Sequence, residues 1–225
     1  MKVNEITAQK KFNLSKLYSL LQPGQSRSQI IKIIRKVLLD ETGEQFRVVI
    51  HNSNEVPSGE MALSAYYEPE DHEDGADEFI ELALIFNSKD KTVDWTDEGK
   101  EYFINELSDA VKHELLHAQQ YSGRDFVDGR DGYDQRDSNY EYMTRPDEIE
   151  AYAMNIADEL VRKADKDGAL QLLRMAGKAA SFKDDMGKFL SPNLMAYFAM
   201  FDWKTDHPVV KRLLKKVYQF ISKMD

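Results

Sequence analysis

Apolar residues fall at spacings of three and four over several stretches of the chain, and at strand-like spacing over three short ones. From Ser26 to Leu39, Ile30, Ile33, Ile34, Val37 and Leu38 lie on one helical face, with Ser26 or Ser28 as cap and Gly43 beyond the end. Phe46–His51, Met61–Tyr67 and Phe79–Phe86 are β-branched or aromatic runs bounded by Pro57, Gly59, Pro69 and Gly75, which predicts strands, the last two forming a hairpin. Ile104, Leu107, Val111, Leu115 and Ala118 then stripe a helix placed from about Asp97 to Tyr121, with Thr96 or Asp97 as cap and Gly123 as stop. Pro146 suits the first position of a further helix running to about Lys163. Beyond it, Ala169–Gly177, Met195–Trp203 and Val209–Met224 are helical, with Met175, Met186, Met195 and Met200 expected to fill gaps between them. The expected fold is α+β: a small N-terminal sheet packed on the long helix, followed by a mostly helical C-terminal half. It is read as one domain over 1–225, with an upper lobe at about 26–122 and a lower lobe at about 145–225 that forms one wall of a cleft.

Candidate chemistry sits on the long helix. His113-Glu114-Leu115-Leu116-His117 is an H-E-x-x-H segment, and helical geometry sets the two histidines one turn apart on one face. Two imidazoles so placed can share a zinc ion, Zn2+, while Glu114, next along, reaches a water that the metal has made acidic. That carboxylate can take the water's proton and later pass it to a leaving amine. The alternative for two histidines at this spacing is a pair of partly buried side chains satisfied by neighbours.

A catalytic zinc usually has a third protein ligand. Glu148 and Glu150, in the first turn after Pro146, are the candidates, although acidic residues at a helix start are common without a metal. Helical periodicity turns Glu150 about 200° from Glu148, so only one can point at a metal. At this point the chain resembles the gluzincin group of zinc metallopeptidases, in which H-E-x-x-H is followed by a helix carrying a Glu ligand in a pattern like E-x-x-A. Glu148-Ile149-Glu150-Ala151 fits over roughly 97–163. The resemblance implies a zincin-like fold, Glu148 as third ligand with Glu150 in reserve, and Ala151 as the small residue that lets two helices approach. Tyr152 stands where the group usually has Asp or Asn, which removes an expected partner for a liganding histidine. The chain also resembles minimal zincin-like proteins of phages and bacteria.

Members of that group also use a His or Tyr to stabilise the oxyanion, and here Tyr133, Tyr140, Tyr142 and His207 are the candidates. His51, in a strand, His72, in an acidic loop, and His207 could also compete for the third metal position, with His207, just before the last helix, the best placed of the three. That loop, containing Glu70, Asp71, His72, Glu73, Asp74, Asp77 and Glu78, is expected to be a solvated hairpin tip. Phe79–Phe86 is the chosen edge strand for pairing with an extended substrate. Asp125, Asp128, Asp131, Asp134 and Asp137 recur every third residue but lack the EF-hand spacing and alternate with Arg. A polar loop beside the cleft is therefore expected rather than a calcium site.

Composition narrows the setting. The absence of Cys removes disulfides, thiolate ligands and Cys nucleophiles, and fits a reducing compartment. A formal net charge of −10 argues against broad nucleic-acid binding. No apolar stretch is long enough to span a membrane. Met1–Leu20, with Lys2, Lys10, Lys11 and Lys16, lacks the apolar core of a signal peptide, so a cytoplasmic protein is expected. The reading is a zinc-dependent peptidase acting on a peptide or protein substrate. Its rival is a regulatory or interaction protein that keeps the scaffold without turnover, and a third alternative is a helical protein with an accidental motif.

Overall fold

A computed structural model describes residues 12–125, 139–179 and 190–224. Tyr133, Met186 and the aspartate-rich segment beyond Asp125 lie outside the described residues. The architecture is mixed α+β with small sheets and a helical C-terminal half. The chain divides into two compact units, Met1–Ala118 and Gln119–Asp225.

The first unit begins with α1 (Lys16–Leu20), followed by the two-residue β1 (Gln25–Ser26) and by α2 (Arg27–Thr42). Ser26 starts α2 through a capping box: its hydroxyl accepts from the Gln29 N–H, and the Gln29 side chain accepts from the Ser26 N–H. Gly43 ends it in the left-handed region at φ 80°, as a glycine after a helix is suited to do. Ile30, Ile34, Val37 and Leu38 form the buried face. Three strands follow, β2 (Gln45–Asn52), β3 (Met61–Tyr67) and β4 (Glu78–Phe86), in the order β2-β4-β3.

β4 pairs parallel with β2 and antiparallel with β3, so its backbone hydrogen bonds are used on both sides. This corrects the expectation that Phe79–Phe86 is an open edge for a substrate. Phe79, Ile80, Leu82, Leu84 and Phe86 are all buried, as suits a central strand.

The β3–β4 connection is also more ordered than a solvated tip. Pro69 opens α3 (Pro69–Glu73), and Asp71 accepts from Arg47 Nη2 at 2.9 Å. The His72 ring stacks on Phe79 at 4.1 Å between centroids, with Nδ1 2.8 Å from the Tyr67 hydroxyl. Burial pushes the His72 imidazole below its usual pKa. Glu70, Glu73, Asp74 and Asp77 remain exposed, as charge patterning predicts. After β5 (Thr92–Val93), which pairs with β1, comes the long helix α4 (Asp97–Ser122).

The second unit is helical: α5 (Asn139–Thr144), α6 (Pro146–Ala179), α7 (Pro192–Met200) and α8 (Pro208–Lys223). Ile149, Ala153, Ile156, Leu160, Leu194, Tyr197, Phe198, Val210, Leu213 and Val217 share its core, with Met195 and Met200 packed against it. Met175 is 51% exposed and fills no gap. Trp203 lies outside α7 in the left-handed region, at φ 60°, and closes the end of that helix through its N–H to the Phe198 carbonyl.

α6 is two helical segments across a break at Ala164 and Asp165, next to the end expected near Lys163. Asp165 sits at φ 52° and caps the second segment, its Oδ1 accepting from the Gly168 N–H at 2.9 Å. A Cβ at Gly168 would lie 2.8 Å from the Ala164 Cβ, an atom that cannot rotate away. Gly168→Ala therefore sets a helix-propensity gain of about 1 kcal/mol against an overpacking cost of about 1–3 kcal/mol. The expected outcome is a lower thermal midpoint; a raised one would mean that the break relaxes to accept the methyl group.

Candidate metal centre

α4 is 26 residues long and begins where Thr96 Oγ1 accepts from the Gly99 N–H at 3.0 Å, with Asp97 and Glu98 against its positive end. Phe103, Leu107, Val111 and Ala118 are buried, whereas Ile104 and Leu115 of the expected stripe are only half-buried. The difference arises at the motif, where the helix is covered around most of its circumference: His113, Glu114, Leu116, His117 and Ala118 are each at most 8% exposed. The division into two units falls inside this helix, after Ala118, so its last turn belongs with the helical unit.

In that unit the last turn of α4 is tied to the first turn of α6. Just past the helix end, Arg124 Nη1 and Nη2 donate to Asp147 Oδ1 and Oδ2 at 3.1 and 2.8 Å. Gln120 Nε2 donates to Glu150 Oε2 at 3.4 Å, and Lys216 of α8 donates to Glu150 Oε1 at 2.8 Å. Pro146 opens α6, and the Ile149 N–H bonds to the Arg145 carbonyl. Of the three carboxylates in this turn, Glu148 is 5% exposed and stands with the motif histidines. One ligand atom from each of His113, His117 and Glu148 falls within 4.8 Å of the others. The two imidazoles have centroids 4.8 Å apart and planes at 74°. Ala151, one turn on from Glu148, is fully buried.

The donor set suits a divalent transition metal. Two imidazoles and a carboxylate make three protein ligands, the number that leaves a fourth position for a reacting molecule. Zinc bonds of about 2.0–2.2 Å set tetrahedral ligands roughly 3.4 Å apart, so small side-chain movements suffice to close the group. Glu150 is held by Gln120 and Lys216, whereas Glu148 faces the histidines.

The remaining candidates are placed elsewhere. His51 is exposed on β2, and His72 is packed in the β3–β4 connection. His207 caps α8, its Nδ1 accepting from the Val209 N–H at 3.3 Å; it stacks on Phe201 and lies 3.4 Å from the Tyr140 hydroxyl. Tyr140 is 45% exposed, and Tyr142 packs on the helical core beneath the Arg145 guanidinium.

Sequence reasoning missed Tyr197, whose fully buried hydroxyl donates to the Met143 carbonyl at 3.2 Å. Burial pushes its phenol pKa up, with the nearby Tyr152 and Glu148 adding to the shift. It also missed the buried polar residues Asp109, Asn155 and Glu159. Their signal was spacing: Asp109 precedes His113 by one turn, and Asn155 and Glu159 follow Glu148 on the same helical face.

No family model, curated protein or solved structure matches the chain, so the site is read from its own residues. The cluster predicts one divalent ion per chain. Metal analysis of His113→Ala, His117→Ala and Glu148→Ala should show its loss in each, with Glu150→Ala retaining it. Full occupancy in both histidine variants would remove the site, and loss only in the Glu150 variant would reassign the third ligand.

Proposed function

We propose that the chain is a zinc-dependent peptidase with a zincin-like fold of the gluzincin type, acting on a peptide or protein substrate. The observation that carries this reading is the approach of His113, His117 and Glu148 to within 4.8 Å, with Glu114 next along the same helix. Zinc, when bound, supplies Lewis acidity toward a water and a substrate carbonyl. His113, His117 and Glu148 would hold it. Glu114 lies about 60° around the helix from His117, close to the liganding face but turned from its centre, as suits a base rather than a ligand.

The chain's own work in the reaction is proton transfer and exclusion of water. Glu114 accepts the proton of the attacking water as the new C–O bond forms. It then delivers that proton to the amine nitrogen as the C–N bond breaks, so the carboxylate is regenerated. Glu114 is 8% exposed, so the proposed proton transfer takes place in a largely buried site. The sequence feature that favours the scaffold alternative is Tyr152, yet the residue whose loss would most simply end catalysis, Glu114, is intact.

Glu114→Gln tests the assignment, since the amide is nearly isosteric and cannot accept the proton. With a substrate found by screening wild type against a peptide library with and without chelator, the variant should keep its metal and its fold. It should lose turnover by roughly 10²–10⁴-fold. Equal rates would refute the mechanism, and a wild type that binds zinc but cuts nothing in the library would favour the regulatory scaffold.

A further inference from the structure

The first turn of α6 presents three carboxylates, Asp147, Glu148 and Glu150, and each meets a different environment. Asp147 receives both ends of the Arg124 guanidinium, at 3.1 and 2.8 Å. Glu150 receives Lys216 and Gln120, at 2.8 and 3.4 Å. Helical periodicity already turns Glu150 about 200° from Glu148. The cationic partners add to that separation, because moving Asp147 or Glu150 toward a dication would strip a charge-assisted hydrogen bond from a partly buried pair. The side chains of Arg124 and Asp147 are 31% and 19% exposed, and those of Lys216 and Glu150 are 37% and 17%.

We infer that Arg124 and Lys216, assisted by Gln120, are positioning residues that select Glu148 as the metal ligand and lock α6 in register with α4. This rests on the metal site proposed above. The Arg124 fork has a second support: its guanidinium carbon lies 5.1 Å over the ring of Tyr121, itself 7% exposed. A planar bidentate fork fixes both the position and the rotation of a carboxylate, which a lysine at the same place does not. Gln120 follows His117 by three residues on α4, so the contact to Glu150 lies one helical turn from a proposed ligand. Lys216 joins α8 to the same turn, so α6 is held from two elements.

The test is zinc affinity of the full chain, measured by competition with a chromophoric chelator, alongside cobalt absorption spectra and melting of the metal-free protein. Arg124→Gln and Lys216→Met should each weaken zinc binding by about tenfold or more and alter the cobalt spectrum. Arg124→Lys should weaken it with little change in metal-free melting, and it carries the test if Arg124→Gln does not fold. The double exchange Arg124→Asp with Asp147→Arg should recover part of the affinity lost in either single variant. Zinc affinity within twofold of wild type in Arg124→Lys, Lys216→Met and any folded Arg124→Gln would overturn the positioning role while leaving the metal site standing. A wild type that takes up no zinc would instead overturn the site and this inference together.

Discussion

A helical turn advances about 5.4 Å, and that fixed step decides where His113 and His117 stand relative to each other, because α4 runs unbroken from Asp97 to Ser122. The helix needs stability at both ends for the step to hold. At its start, Thr96 caps it, Trp95 packs on Phe103 with centroids 5.2 Å apart, and Lys100 lies over the Tyr18 ring at 5.2 Å. At its end, Gln120 and Arg124 bind the first turn of α6. The turn that carries Glu148 is therefore tied to the last turn of α4.

Several carboxylates near these residues are buried. Glu114 and Glu148 are both at most 8% exposed, and Asp109 and Glu159 are buried as well. Removing a carboxylate from water costs several kcal/mol unless other groups replace its hydration. Glu159 recovers part of that through Asn193, whose Nδ2 donates at 2.6 Å. A divalent ion at the proposed site of Glu148 and the histidines would offset part of that cost and couple metal binding to the stability of the fold.

The helices were legible because their signals are local. Ser26, Gly43, Pro146 and Pro208 mark ends that the structure places at or beside the same residues, and the three strands match to within one or two residues at each end. Strand order was not legible, since Phe79–Phe86 has the composition of a buried strand wherever it lies, and only pairing on both sides identifies it as central. The five-residue α1 and α3 and the six-residue α5 were missed because so short a helix shows too few turns for a period to appear. The two histidines could be paired from spacing alone. The partners of Asp147 and Glu150 could not, because Arg124 and Lys216 are 23 and 66 residues away in sequence.

Tyr152 follows from the same electrostatics. It stands one turn beyond Glu148 and leans edge-on against Tyr197 with centroids 5.3 Å apart. Tyr197 in turn spends its hydroxyl on the Met143 carbonyl and packs on Phe201 at 6.1 Å. A carboxylate at 152 would add another negative charge one turn from Glu148. An aromatic ring supports α6 there without that repulsion, and it passes the load to the helical core. Through Tyr197 and Phe201, Tyr152 thus ties the first turns of α6 to the helical core, while Asp147 and Glu150 on either side of Glu148 are held by their ion pairs.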